Sequence, residues 1–92
     1  MENAIISVFA NPVRLKLILC LAKKRKNVAE LIEKCGLAQS AVSQHLTRLK
    51  DAGLVKDEKE GKYMYYSLTY SQTAILAKEI EKFIKKIETL SK

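Results

Sequence analysis

The sequence predicts a mainly α fold with one small β-hairpin, in the element order α-α-α-α-β-β-α. Four segments between residues 2 and 52, and one from residue 71 onward, carry apolar residues at helical spacing. Residues 62–68 are rich in tyrosine, which favours a β-strand, and Glu60-Gly61 before them is typical of a hairpin turn. With 92 residues, the chain has the length of one small domain, spanning residues 1–92.

The composition favours an anionic partner. Seventeen basic residues against ten acidic ones give a net charge of +7, which suits nucleic acid first and an acidic membrane surface second. We expect no membrane span and no secretory leader, and therefore a cytoplasmic protein, because the chain has neither a long apolar run nor a basic start before an apolar core. In such a protein, two cysteines are expected to be thiols rather than a structural bridge.

The first two predicted helices are strongly apolar. Residues 2–9 form a short helix in which Ile5, Ile6 and Phe9 are too apolar to face water. Asn11-Pro12 begins the second helix, because Asn is a favoured N-cap and Pro fits the first helical position. Residues 13–22 are apolar almost all round at their end, which predicts a central, buried helix. We interpret the four cations at residues 23–26 as a solvated helix end.

Two short helices with the same pattern follow. Each has apolar or near-apolar residues at i, i+3, i+4 and i+7: Val28, Leu31, Ile32 and Cys35, then Val42, His45, Leu46 and Leu49. A Gly-Leu pair ends each one, at Gly36 and at Gly53. Two such helices joined by a tight turn predict a helix-turn-helix, and predicted strands at residues 55–58 and 62–68 complete a winged helix-turn-helix.

The outer face of the second helix of this motif is suited to DNA. We place this helix at residues 39–52, about 20 Å long, so it enters a major groove about 12 Å wide end-first. Its early residues then meet bases and its later residues, Arg48 and Lys50, meet phosphates. The same polar side chains also fit a merely solvated helix, but the surrounding motif favours DNA contact. That face comprises Gln39, Ser40, Ser43, Gln44, Thr47 and Arg48.

The last predicted helix, residues 71–90, carries a seam for a partner. Its apolar residues step by 4, 3, 4 and 3, as in a coiled coil. Together with the first helix, this is more apolar surface than so short a monomer can bury, which predicts a homodimer. The predicted interface comprises Ile5, Ile6, Phe9, Leu76, Ile80, Phe83, Ile87 and Leu90.

These segments together resemble the ArsR/SmtB family of winged-helix transcriptional repressors. The match runs from about residue 9 to residue 68 and is most specific in Gln39-Ser40-x-Val42-Ser43-x-His45-Leu46 and Ala52-Gly53-Leu54-Val55. The resemblance implies a homodimer, built from the first and last helices, that binds an inverted-repeat operator and blocks transcription. It also implies base contacts from Gln39, Ser40, Ser43 and Gln44, with Lys62 of the wing near the minor groove.

This chain departs from the family pattern at two places. Ala38 stands where a capping Ser or Thr is usual, which suggests a weaker helix start or one shifted to Ser40. The wing, residues 56–62, has three cations and three acids, so its own charge is neutral.

Neither metal site known in the family is expected here. One requires a Cys-x-Cys pair where this chain has Ile32 and Lys34, and the other uses His and carboxylates on a last helix that here has no histidine. His45, the single histidine, lies on the core side of its helix and is interpreted as structural. We therefore expect no metal and no cofactor.

The two cysteines leave two interpretations open. The chain is most similar to the non-metal, HlyU/BigR-like members, whose thiol-switch cysteine matches Cys20 but whose second cysteine lies in the last helix, where this chain has none. We interpret Cys20 and Cys35 mainly as packed core residues. A redox switch formed by Cys20 and Cys35 is the alternative.

These observations predict a sequence-specific transcriptional regulator, a repressor, that binds double-stranded DNA as a homodimer. The alternative is a winged-helix interaction module or a non-specific architectural DNA-binding module without a sensor role. For an interaction module, the four cations at residues 23–26 and the basic face of the last helix suit an acidic surface. An enzyme is not expected, because the sequence lacks a Cys–His or Ser–His–Asp arrangement and a phosphate-binding glycine loop.

Overall fold

The computed structural model describes residues 2–91, with the side chains of residues 5–91. Its elements follow the predicted order, and the predicted fold class is confirmed. Boundaries differ from prediction by two residues at most. The elements are α1 (Glu2–Val8), α2 (Pro12–Lys23), α3 (Val28–Cys35), α4 (Gln39–Asp51), β1 (Val55–Glu60), β2 (Tyr63–Leu68) and α5 (Gln72–Leu90).

Local signals in the sequence set the ends of α2 and α3. Asn11 caps α2, its Oδ1 accepting from two first-turn amides at 2.8 and 3.2 Å, and Pro12 occupies the first helical turn. At the start of α3, Asn27 and Glu30 form a capping box with reciprocal bonds of 2.8 and 3.0 Å. Gly36 then ends α3 with φ of 66°, a left-handed conformation that favours glycine. The α3–α4 turn is therefore short and well defined.

The core is organised around α2, as its composition predicted. This helix packs against α3, α4, α5 and β2, and its Leu17 and Ile18 have no exposed surface. The inner faces of α3 and α4 supply Leu31 and Leu49, which are equally buried. The helix-turn-helix is therefore held on a close-packed base, so the orientation of α4 is set by packing.

The hairpin is slightly longer than the sequence suggested. β1 and β2 pair antiparallel from Val55 opposite Leu68 to Glu60 opposite Tyr63. The turn is thus Gly61-Lys62 rather than Glu60-Gly61. Gly61 has φ of 64° at the first turn position, where a glycine relieves the strain of a left-handed backbone.

Lys26 is not solvated, and the interpretation of residues 23–26 as a solvated helix end is wrong for this residue. Its backbone pairs with that of Tyr66 through bonds of 3.0 and 2.8 Å, adding a one-residue bridge to the edge of β2. The side chain is only 5% exposed, and its Nζ donates to the carbonyl oxygens of Cys20 at 2.8 Å and Lys24 at 3.3 Å.

Cys20 of α2 and Cys35 of α3 are joined by a disulfide, with their Cα atoms 6.5 Å apart. The expectation of two separate packed thiols is therefore wrong in this structure. Helical periodicity placed Cys35 on the buried stripe of its helix and Cys20 in a largely apolar one. It contained no information on whether the two side chains would face each other when α2 packs on α3.

Candidate nucleic-acid interface

The α4 helix divides cleanly into a buried face and an exposed face. Val42, Leu46 and Leu49 are buried against the core. The residues predicted to contact DNA are all exposed, six on α4 and one in the hairpin turn: Gln39, Ser40, Ser43, Gln44, Thr47, Arg48 and Lys62. The structure therefore presents the polar face as one continuous surface, with Gln39 and Ser40 at its leading end.

The start of α4 has no side-chain cap. Ala38 is the N-cap residue, in extended conformation, and the helix begins at Gln39 rather than shifting to Ser40. The amide groups of the first turn are consequently left without a side-chain acceptor. Such groups, with the positive end of the helix dipole, attract an anion such as a DNA phosphate.

Thr47 is partly committed to its own helix. Its Oγ1 donates to the carbonyl oxygen of Ser43 at 3.0 Å, a bond that spans one helical turn. The hydroxyl proton is therefore in use, while the residue remains exposed and its oxygen can still accept a hydrogen bond. This leaves Thr47 suited to accept a hydrogen bond or to contact a thymine methyl group.

Lys50 is used differently from the phosphate contact that the sequence suggested. Its Nζ lies 2.5 Å from Oδ2 of Asp57 in β1, and this hydrogen bond raises the pKa of Lys50 above its ordinary value. The ion pair ties the end of α4 to the wing. Arg48, two residues earlier and also exposed, makes no ion pair with the wing within residues 5–91.

The wing is more cationic in its folded setting than its own composition indicates. Arg25, outside the hairpin, binds Glu58 at 3.1 Å and Glu60 at 2.6 Å, and its guanidinium carbon lies 4.5 Å from the centre of the Tyr65 ring. Together with the Lys50–Asp57 pair, these contacts give each of the three wing acids a cationic partner from outside the hairpin. The wing lysines, which are all exposed, are Lys56, Lys59 and Lys62.

Arg14 connects α1 to α4, a contact that sequence reasoning missed. Its Nε and Nη2 donate to the carbonyl oxygens of Val8 at 3.1 Å and Ser7 at 2.9 Å, and its Nη1 lies 3.1 Å from Nδ1 of His45. A guanidinium can only donate, so Nδ1 accepts and the neutral ring carries its proton on Nε2. Burial, and then the charges of Arg14 and Arg48, lower the pKa of His45 and favour this neutral form. The signal available in sequence was an arginine in the first turn of a helix whose later residues are mostly apolar.

A second surface, formed by α1 and α5, is apolar and uncovered. Ile6, Phe83 and Leu90 are 66%, 63% and 75% exposed, and Ile5, Leu76 and Ile87 are also exposed. Phe9 and Ile80 differ, because they pack partly against the core of their own chain. Ile75 and Ile84 are exposed as well, so the apolar face is wider than the predicted seam. Counting apolar residues in steps of four and three identifies a single line along the helix. That count misses Ile75 and Ile84, which lie outside this line.

Within residues 2–91, no helix is long and apolar enough to cross a membrane. The same part of the chain holds no group of three or more His, Cys, Asp or Glu side chains that could bind a metal ion.

The two short helices, the turn between them and the following antiparallel hairpin define a winged helix-turn-helix protein. The sequence agrees at the level of family. Residues 11–57 match the model of the bacterial regulatory protein, arsR family, and the chain belongs to that family.

Individual relatives agree in both sequence and fold. The nodulation protein NolR of Rhizobium meliloti is 42% identical over 62 residues, which cover 67% of this chain and 51% of that protein. The transcriptional activator HlyU of Vibrio cholerae serotype O1 is 35% identical over 68 residues, covering 74% and 63%. The crystal structure of the transcriptional repressor BigR from Xylella fastidiosa superposes with a TM-score of 0.77 at 28% identity, covering 89% of this chain and 84% of that one. The chain thus spans about half to two thirds of the length of these two curated relatives.

Proposed function

We propose that this chain is a sequence-specific DNA-binding transcriptional repressor that acts as a homodimer on an inverted-repeat operator. The observation that carries the proposal is the exposed polar face of α4, held on a packed base and flanked by the lysines of the wing. The names of its relatives support transcriptional regulation, since they include a repressor and an activator. A regulator of this kind works where the chromosome is, in the cytoplasm.

The side chains on this surface divide into base contacts and backbone contacts. Gln39 and Gln44 offer the paired donor and acceptor that match adenine N6 and N7, and Ser40 and Ser43 suit either base type. The uncapped amides at the start of α4 donate to a phosphate oxygen, and Arg48 binds the backbone one turn beyond the bases. Lys62 lies in the turn of the hairpin, and its proposed role is to contact the adjacent minor groove.

The uncovered faces of α1 and α5 support the homodimer. Apolar residues exposed to this degree cost free energy in water, and a second copy would cover the same faces on each partner. Such a dimer would set its recognition helices in successive major grooves, about 34 Å apart, with half-site centres about ten base pairs apart. A chain that sediments as a monomer at micromolar concentration would contradict this part of the proposal.

Genomic footprinting with the purified chain, followed by competition binding, tests the DNA-binding role. The recovered operator and a scrambled duplex of equal length and composition compete for the protein at fixed salt. We expect the operator to bind at least about a thousandfold more tightly. Equal affinity for the two duplexes would overturn sequence-specific regulation and favour the non-specific architectural module. Binding to neither duplex would favour the interaction module.

A further inference from the structure

The helix α1 is attached to its own chain at its C-terminal end. Its residues 5–7 are exposed, whereas Val8 has only 2% of its surface exposed. The carbonyl oxygens of Ser7 and Val8, in the last turn of the helix, accept from Nη2 and Nε of Arg14 at 2.9 and 3.1 Å. The burial of Val8 and the two bonds from Arg14 thus fix this end of α1 on the domain.

The same guanidinium reaches the recognition helix. Nη1 of Arg14 donates to Nδ1 of His45 at 3.1 Å, so one side chain joins the end of α1 to α4. His45 lies between Gln44, on the face proposed to contact bases, and Leu46, which is buried. A planar guanidinium donates in fixed directions, so three bonds from one such group restrict the position of α1 relative to α4.

The Arg14–His45 contact requires a neutral imidazole. A protonated ring carries a hydrogen on both nitrogens, so Nδ1 could no longer accept, and two cations would then lie 3.1 Å apart. The helix α4 packs against α2, α3 and β1. Among residues 5–91, the charged groups that shift the pKa of His45 are Arg14 of α2 and Arg48 of α4 itself, and none comes from α3 or β1. Both are cations, so neither compensates a protonated ring.

We propose that Arg14 is a positioning residue that sets α1 relative to α4, and that protonation of His45 breaks this contact and weakens binding to an inverted repeat. α1 belongs to the apolar face that a second copy would cover, so the position of α1 affects the position of that copy. A shift of α1 relative to α4 therefore changes the distance between two recognition helices, which must match two half-sites. Each α4 keeps its own base contacts, because the burial of Leu46 and Leu49 holds it on its domain.

Lower pH should therefore weaken the operator complex, which is the opposite of a simple charge effect. Burial, and then the charges of Arg14 and Arg48, lower the pKa of His45 below its ordinary value of about 6.5. The ring is thus neutral at about pH 7.5 and gains its proton as the pH falls below about 6.5. The added charge would by itself strengthen binding to every duplex, because DNA is a polyanion. Loss of the Arg14 bond acts only where two half-sites are read together.

The test compares the affinity of the full chain for the operator recovered by footprinting with its affinity for the same duplex with one half-site scrambled. Both affinities are measured from about pH 7.5 to about pH 5, at fixed salt and protein concentration. We expect their ratio to fall at least about fivefold at the lower pH, while the affinity for the single half-site holds or rises.

Three results would overturn the proposal: a constant ratio, a parallel loss of both affinities, or dissociation of the dimer in sedimentation at the lower pH. In the last case the ratio would fall without any link through Arg14. Because the proposal rests on the proposed function, absence of any preference for the operator at about pH 7.5 would overturn both. A constant ratio with the operator still preferred would overturn this proposal alone.

Variants assign the effect to the Arg14–His45 contact. Arg14→Gln should give the low ratio at every pH, whereas Lys16→Gln, which removes an exposed charge from the same helix, should behave like the unaltered chain. His45→Asn keeps an oxygen that accepts from Arg14 but does not titrate, so it should keep the high ratio down to about pH 5. Arg14→Gln is first checked for native circular dichroism and, if it does not fold, His45→Asn decides the question. A fall in the ratio that persists in His45→Asn would overturn the proposal.

Discussion

Breaking the disulfide should lower the free energy of unfolding by about 3 kcal/mol. Cys20 and Cys35 are 15 residues apart. A bridge that closes a loop of about this length reduces the conformational entropy of the unfolded chain, which stabilises the folded chain by about 3 kcal/mol. For a domain of this size each kcal/mol corresponds to about 4–8 °C, so Tm should fall by about 12–24 °C. The bridge joins α2 to the first helix of the helix-turn-helix. Loss of the bond therefore weakens the packed helices that support α4.

Urea unfolding, followed by circular dichroism at one fixed protomer concentration, measures this change. The oxidised chain is compared with the same chain in a phosphine reductant, and the concentration is fixed because dimerisation also contributes to apparent stability. Cys20→Ser/Cys35→Ser is the control, since its midpoint should not respond to the reductant. A difference below about 1 kcal/mol between the oxidised and reduced chains would refute the loop-entropy argument, because the segment would then be restricted without the bond.

Four further outcomes are expected. Gln39→Ala should reduce the preference for operator over scrambled DNA by roughly 1–3 kcal/mol in competition binding, because one base contact is lost. Arg48→Ala should weaken all duplexes alike and flatten the salt dependence by about one unit; a change in sequence preference alone would show that α4 is oriented differently. Phe83→Asp puts a charge on a side chain that is 63% exposed in the single chain, and should convert the dimer to a folded monomer in sedimentation. The pKa of His45 in the folded chain lies below its ordinary value of about 6.5. As the pH falls, the unfolded chain therefore binds the proton first, so the free energy of unfolding should decrease below about pH 6.5. His45→Asn, whose amide oxygen still accepts from Arg14, should lose that dependence in urea unfolding, and an unaltered pH profile would assign it to other groups.

The sequence by itself determined the features that depend on neighbours within a few residues. The cap at Asn11 and the left-handed end at Gly36 are properties of single turns, and they lie where the sequence predicts. The faces of α4 follow from helical periodicity, which is why the exposed position of Gln39 and the burial of Leu49 could be predicted. These local signals were sufficient for the order of elements and for the polar face that we propose contacts DNA.

Only the tertiary structure decided which distant residues meet. Arg14 reaches His45 across 31 positions, and Arg25 reaches Glu60 across 35. The pairing of the wing acids with cations outside the hairpin was therefore not evident from the composition of the hairpin. The burial of Lys26 depends on the edge of β2, and the Cys20 bond depends on how α2 packs on α3. Periodicity assigns a side chain to a face of its own helix, but the partner of that face is set by the packing of whole elements, which involves the volume of every side chain between them.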